Sequence, residues 1–386
     1  MFLFKLLLKN AFRHKLRTLL TMVGLIVAIS AFGLLRTIVD AWYAGVEGTS
    51  STRLITRSAI SLGYPLPVYY ADRIKKIDGV TGVTWLNWFG GVYIDNRNFF
   101  ARMAVDANSY FPLFPEFQIS KEEQAAFMAD RQGVILGRKT AQRFGWKVGD
   151  TIPLSGTIYP GNWTFNIRGI YTVKDARFDE TLMLLHWSLI DESVKKRLGS
   201  LAANQVGLFM VGIKDPSKAS VISQEIDTLF RNSVAETRTE TEKAFQLGVV
   251  SMSKAILMAI RAVSFVVILI IMAVMANTMT MTARERLAEY ATLKALGFSP
   301  GFVVKLLFGE SMLIALIGGV VGIGMTFPLA KGFLLQTNNV FKVFEISQET
   351  MAFQAVAALI VGLIAAMWPA WKMSRIDIVQ GLRHVA

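Results

Sequence analysis

The stretch TARERLAEYATLKALGFSPG, Thr282 to Gly301, carries five charges and lies between two runs of 20 or more uncharged residues. Arg284 to Leu296 is rich in Ala, Leu, Glu, Lys and Arg, the residues that lose least on entering a helix. Gly297 suits the left-handed conformation that ends a helix, and Ser299 followed by Pro300 suits the N-cap and first position of the next one. The segment therefore reads as a short helix that turns back sharply. It offers Arg284, Glu285, Arg286, Glu289 and Lys294 as polar contacts, alongside Leu287, Tyr290, Leu293 and Leu296 as apolar ones. From the residues alone, a surface for docking a partner and a solvated connecting helix fit equally well.

The flanks decide the fold class. Uncharged runs extend over Thr18 to Leu35 (18 residues), Ala262 to Ala283 (22), Ser311 to Ala330 (20) and Thr350 to Trp371 (22), and about 20 apolar residues cross the hydrocarbon of a bilayer. Ala28-Ile29-Ser30 has the small-x-small form of a signal cleavage site, but it lies inside the apolar run behind a basic segment, so an uncleaved span is expected. Arg36, Arg261 and Glu310 sit at span margins, where side chains can snorkel. Span interiors free of ionisable residues count against an ion-coupled carrier. In the third run, IGGVVGIG places Gly318, Gly319 and Gly322 for close helix packing, either within the chain or across a dimer.

Charge gives the orientation. Of the net +13, residues 39–254 hold 25 Lys+Arg against 22 Asp+Glu, and the remainder holds 16 against 6. The excess thus lies beside the apolar runs, where it orients spans, and nucleic-acid binding is not expected. Twelve basic residues fall on one side: Lys5, Lys9, Arg13, Lys15 and Arg17, then Arg284, Arg286, Lys294 and Lys305, then Lys372, Arg375 and Arg383. Only Lys331 and Lys342 lie in the short loop opposite. Both termini are expected in the cytoplasm, with residues 39–254 outside and Trp42, Tyr43, Trp368 and Trp371 as interfacial anchors. Ahead of the first span, Phe2, Leu3, Leu6, Leu7 and Phe12 are mixed with basic residues, as in an amphipathic helix on the inner leaflet or a simple positive flank, and both give the same orientation.

The outer segment reads as α+β, with room for two subdomains. VILGRKTAQRFGWKVGDTIPL gives a strand at Val134 to Leu136, a helix from Arg138 ended by Gly145, a turn at Val148-Gly149-Asp150 and another strand. WTFNIRGIYTV alternates Trp163, Phe165 and Ile167, and QVGLFMVGIK is expected to set Val206, Leu208 and Met210 on one face. Asp215-Pro216 opens a helix with Ala219, Ile222, Ile226 and Leu229 in a stripe. TRTETEKAFQLGVVSMSKAILMAIR, lacking Pro or Gly beyond Gly248, is expected to run as a helical stalk into the second span. GVILGRKT, Gly133 to Thr140, lacks the spacing of a phosphate-binding loop: three residues separate its glycines, and Arg138 precedes Lys139. With no cysteine and only His14, His186 and His384, far apart, neither thiolate catalysis nor a histidine metal site is expected. Asp179-Glu180, Asp191-Glu192 and Glu122-Glu123 read as solvated surface, so no catalytic residue is assigned.

ERLAEYATLKALG resembles the signature E-R-x-x-E-[IY]-[GA]-x-L-K-A-L-G that follows the second span in the MacB/FtsX-like permease family of ABC transporters. KNAFRHKLRTLLTMVG resembles that family's entry to its first span, VILGRKTAQRFGWKVGDTIPL its periplasmic core domain, and SRIDIVQGLR its C-terminal S-R-[IL]-D-P-[VI]-x-A-L-R. Ile378 stands where the family usually has Pro, and Gly381 where it usually has Ala. The resemblance implies an α-helical membrane protein with four transmembrane helices and a large α+β extracytoplasmic domain inserted between helices 1 and 2. Its division would be 1–17 amphipathic segment, 18–38 first span, 39–254 periplasmic core domain with stalk, 255–281 second span, 282–305 coupling segment, 306–328 third span, 329–350 short periplasmic loop, 351–371 fourth span and 372–386 cytoplasmic tail.

The resemblance further implies a permease subunit of the bacterial inner membrane, a homodimer or close heterodimer without its own nucleotide site, and not itself an enzyme. ATP and Mg would be bound by a separate cytosolic ATPase. Arg284, Glu285, Arg286, Glu289, Tyr290 and Lys294 would dock on it, with Gly297 and Pro300 keeping the turn rigid. A periplasmic adaptor of the membrane-fusion type and an outer-membrane channel are the further partners that the resemblance allows for export from the periplasm or outer leaflet. An alternative is an FtsX-like, non-transporting transmitter that controls an extracytoplasmic partner such as a cell-wall hydrolase.

Overall fold

The structure, a computed structural model, describes residues 7, 9–175, 178–337 and 344–375. Phe2, Leu3, Leu6, Lys342, His384 and the tail positions Ile378 and Gly381 lie outside the described residues. The chain divides into two compact units, one of spans (Met1–Asp40, Lys254–Gln336 and Phe344–Ala386) and one of mixed α/β structure (Ala41–Ser253 with Thr337–Val343).

Among the described residues, four helices are long and apolar enough to cross a membrane: Lys15–Glu47, Lys254–Glu285, Pro300–Gln336 and Gln348–Ser374. They continue beyond the uncharged runs because helix geometry needs no apolar residue once the chain leaves hydrocarbon. Their packing relies on small residues. A Cβ placed on Gly318 would lie 2.7 Å from Leu25 Cδ2, and one on Gly322 2.9 Å from Ile29 Cβ, so the GxxxG face packs against the first span within the chain. Gly319 meets Ala358 of the fourth span in the same way. Gln354 crosses this interface fully buried, donating 2.8 Å hydrogen bonds to the Ile29 carbonyl and Thr326 Oγ1. Gly318→Leu should therefore overpack the interface at a cost of about 1–3 kcal/mol. In a thermal-shift assay of the detergent-solubilised chain this would lower the melting temperature. Gly324→Ala, where a Cβ meets nothing within 4 Å, should leave it unchanged.

The α/β unit is built on a mixed sheet. Its strands are β1 Arg53–Ser58, β2 Leu66–Pro67, β3 Val80–Trp88, β4 Gly91–Val92, β5 Arg102–Val105, β6 Phe117–Gln118, β7 Gly133–Gly137, β8 Thr151–Gly156, β9 Gly161–Val173, β10 Met183–His186, β11 Gln205–Val206, β12 Leu208–Ile213 and β13 Thr237–Thr241. The main sheet runs β13-β1-β12-β3-β5-β10-β7-β9-β8-β4, with β6 on β9 and a separate β2-β11 ribbon. Among the described strand pairs, only β5-β10 and β7-β9 are parallel. One continuous sheet thus replaces two subdomains, and separate apolar clusters form along it. Leu54, Phe209, Val211 and Ile213 pack beneath helix Ala219–Leu229, whereas Ile55 and Met210 join Tyr110, Phe114 and Leu184 on the opposite face.

Sequence patterning located the strand-helix-strand around residue 140. Helix Arg138–Phe144 follows β7 and ends at Gly145 with φ of +70°. Three expectations are corrected. Val206 does not share a face with Leu208 and Met210, because the strand breaks at Gly207, whose N–H bonds Asn87 Oδ1 at 2.9 Å; Val206 joins the cluster with Phe209 instead. The stalk is not one helix: Glu242–Met252 ends at Ser253, whose N–H turns back to the Val250 carbonyl, and Lys254 starts a new helix. Glu180 is buried rather than solvated, accepting from the Val173 N–H at 3.1 Å and pairing with Arg138 at 3.0 Å. The other carboxylates serve local structure, such as the capping box of Ser120 and Glu123 and the 2.6 Å bond from the Asn204 N–H to Asp191.

An ion cluster that no motif marks lies at the start of β1. Arg53 pairs with Glu116 at 2.6 Å and with Glu242 at 2.8 Å, its guanidinium lies over the Phe114 ring, and it donates to the Leu113 carbonyl. Glu242 also accepts the Ser50 N–H at 3.0 Å. All three side chains are mostly buried.

Candidate functional site

The charged turn forms as the sequence suggests, with one displacement. The second-span helix continues through Arg284 and Glu285, breaks at Arg286, and is followed by a short helix, Leu287–Ala295. Gly297, at φ +89°, closes it: its own N–H reaches the Lys294 carbonyl and the Phe298 N–H the Leu293 carbonyl, the paired bonds of a Schellman ending. Pro300 begins the third-span helix at once. Two helix ends thus meet at a turn stiffened by its own backbone.

The polar residues of this turn are engaged within the span unit. Glu285 takes both guanidinium nitrogens of Arg17 at 2.8 Å, with His14 Nε2 at 3.3 Å. Glu289 pairs with Arg13 and, at 2.9 Å, with Arg286. Burial alone would raise its carboxyl, but the hydrogen bonds from Arg13 and Arg286 hold it below the usual carboxylate range, so it stays ionised near neutral pH. Arg286 is buried, lies 5.1 Å from the Tyr290 ring, and pairs with Glu310 of the third span. Glu310 therefore does not snorkel: it is 1% exposed, ten residues into its helix, with its charge answered from the turn. Lys294 Nζ reaches the Ser374 carbonyl at 2.9 Å and the Met373 carbonyl at 3.3 Å, a cation at the C-terminus of the fourth-span helix.

The basic segment ahead of the first span is a structural partner of this turn. Thr18 Oγ1 donates to the Ala11 carbonyl at 2.6 Å, and Leu7 packs at Gly309. The turn is consequently tied to the first-span helix through Glu285, to the segment ahead of it through Glu289, to the third span through Arg286, and to the fourth through Lys294. Arg284 and the tip from Leu296 to Gly301 stay exposed, with Leu296 at 71% and Phe298 at 45%. Two large apolar residues are thus held outward on a turn stiffened by its own backbone.

No group of acidic and histidine side chains suited to a metal is found among the described residues. His186 is buried against Phe127, bonded through Nε2 to the Phe127 carbonyl. In the segment from Gly133 to Thr140 the Gly137 and Lys139 N–H groups, which a phosphate-binding loop would turn to its ligand, donate instead to the Leu182 and Glu180 carbonyls at 2.8 and 3.1 Å.

Two family models match along the chain: the MacB-like periplasmic core domain over residues 18–229 and the FtsX-like permease C-terminal region over residues 261–378. The second contains the turn. The chain belongs to the MacB/FtsX-like family of ABC transporter permeases. This permease is 28% identical over 251 residues to the uncharacterized ABC transporter permease protein Rv0987 of Mycobacterium tuberculosis, covering 64% of this chain and 28% of that one. It is 23% identical to the probable syringafactin export ATP-binding/permease protein SyfD of Pseudomonas syringae, covering 96% of this chain and 57% of that protein. It therefore spans about half or less of those two relatives. The uncharacterized ABC transporter permease MJ1507 of Methanocaldococcus jannaschii is 22% identical and matched over 97% of this permease and 96% of its own length. Among solved structures, the extracellular domain of the noncanonic ABC-type transporter YknZ covers 49% of this chain and 98% of its own, at 12% identity and a TM-score of 0.34.

Proposed function

We propose that this permease is the membrane subunit of an ABC transporter that carries the motion of a separate cytosolic ATPase to its α/β unit, driving export from the periplasm or outer leaflet. Both termini and the charged turn face the cytoplasm in this reading, and the α/β unit faces the periplasm of a bacterial inner membrane. The observation that carries it is the turn itself, tied to the other three spans while its apolar tip points outward. A push on Leu296 and Phe298 then moves several helices together, as a rigid body should. Arg286, Tyr290 and Lys294 act as positioning residues here, and Glu285 and Glu289 anchor the turn to the basic N-terminal segment. ATP and Mg belong to the ATPase, a dimer of this chain would engage two copies of it, and a periplasmic adaptor leading to an outer-membrane channel completes the export assembly.

Leu296→Asp combined with Phe298→Asp should lower recovery of the ATPase that co-purifies from native membranes at least tenfold, equivalent to about 1.4 kcal/mol. Both side chains are exposed, so insertion and the protease resistance of the α/β unit should remain unchanged. Undiminished ATPase recovery and activity would remove the docking role. Mass spectrometry of the same preparation separates the two family behaviours: an adaptor supports export, whereas a cell-wall hydrolase without an adaptor assigns signal transmission.

A further inference from the structure

Within the α/β unit, a cleft of about 910 Å³ lies between helix Trp187–Leu198 and the hairpin joining β8 to β9. That volume is within the range of roughly 300–1,000 Å³ typical of small-molecule sites. Trp88, Tyr159, Trp163 and Trp187 supply rings, and Ile190 and Val194 supply the helix face. Several polar atoms of its wall are already used inside the protein. Trp187 Nε1 donates to the Gln205 carbonyl at 3.2 Å and Trp163 Nε1 to the Tyr159 carbonyl at 3.0 Å. Asn87 Nδ2 reaches Tyr159 Oη at 3.1 Å, and its Oδ1 takes the Gly207 N–H.

Those bonds limit the occupant. A peptide docking by strand addition needs free main-chain groups, yet Gln205 and Gly207 are held by side chains and β11 is paired with β2. The cleft therefore offers apolar contact with little hydrogen bonding. Its mouth is apolar too: Leu201 is 96% exposed and Leu198 73% exposed, an arrangement that water disfavours. Charge enters through Arg197, whose guanidinium donates to the Pro160 carbonyl and forms no ion pair with a carboxylate among the described residues. Lys195 and Lys196 precede it in the last turn of the helix. Asp191, the acid in the lining, accepts the Asn204 N–H.

We propose that this cleft binds an anionic amphiphile, with an acyl chain along the tryptophan and leucine wall and its head group at Arg197. Identifying that amphiphile with exported cargo rests on the export reading above; binding does not. The test uses the full chain in nanodiscs and 11-(dansylamino)undecanoic acid as probe, read by energy transfer from tryptophan. Leu198→Asp with Leu201→Asp changes two exposed side chains, so the fold persists, and the bilayer background is common to every variant. Saturable transfer in the native chain should fall at least fivefold in this double variant. Arg197→Gln should weaken the acid at least threefold while leaving the corresponding alcohol unchanged. Equal saturation in the native chain and the double variant overturns the cleft as the site, and Arg197→Gln without effect overturns the head-group assignment. Binding with no ATP-dependent movement of the probe would count against the export reading alone.

Discussion

Arg53→Ala should lower the melting temperature of the α/β unit by about 10 °C, read by tryptophan fluorescence on the full-length chain. Arg53 is the sole cation in contact with the buried carboxylates of Glu116 and Glu242 among the described pairs, so its loss leaves two like charges together without water. Removing one partner of a buried pair costs about 3–5 kcal/mol, and each kcal/mol moves the midpoint of a unit this size by about 2–4 °C. Arg53→Lys should fall between, since an ammonium lacks the fork that serves two carboxylates and the Leu113 carbonyl together. Adding Glu116→Gln and Glu242→Gln to Arg53→Met should recover most of the loss, because the repulsive charges are then gone. A shift under about 2 °C for Arg53→Ala would show that these carboxylates are solvated after all.

This cluster shows what could and could not be read from the chain. The four spans were legible because about 20 uncharged residues have few other uses. The helix after β7 was legible because Gly145 must adopt a positive φ where it ends, and the Gly297 and Pro300 boundaries follow from the same local rules. Arg53 and Glu242 are 189 residues apart and Arg17 and Glu285 268 apart, so no local pattern pairs them. Val206 looked in register with Leu208 and Met210 because alternation is a local rule, whereas the break at Gly207 depends on Asn87, far along the chain. The same limit applies to the candidate site. Its charged residues were visible, but their inward engagement depended on where the N-terminal segment, Glu310 and the end of the fourth span come to lie. Leu296 and Phe298 were therefore less conspicuous in the sequence than the charges beside them.

Arg286→Met should destabilise the span unit by about 3–5 kcal/mol, the cost of leaving a partner's charge buried and unanswered. Glu310 is 1% exposed within the third-span helix, and Glu289 loses one of its two cations in the same variant. Arg286→Met together with Glu310→Leu should lie within about 1 kcal/mol of the native chain, since apolar side chains of similar volume replace a buried pair at little cost. The double-mutant cycle then returns a large coupling energy between two residues 24 apart in sequence. Thermal unfolding in detergent gives the stability terms, and the activity of the co-purified ATPase gives the functional one. In Arg286→Met the tip at Leu296 and Phe298 is intact, so the ATPase should still be recovered while its dependence on the permease is lost. If the single variant were as stable as the double, the pair would not be closed to water. If it kept full control of the ATPase, the turn would move the spans without its tie to the third helix, and Lys294 at the fourth-span terminus would carry the motion instead.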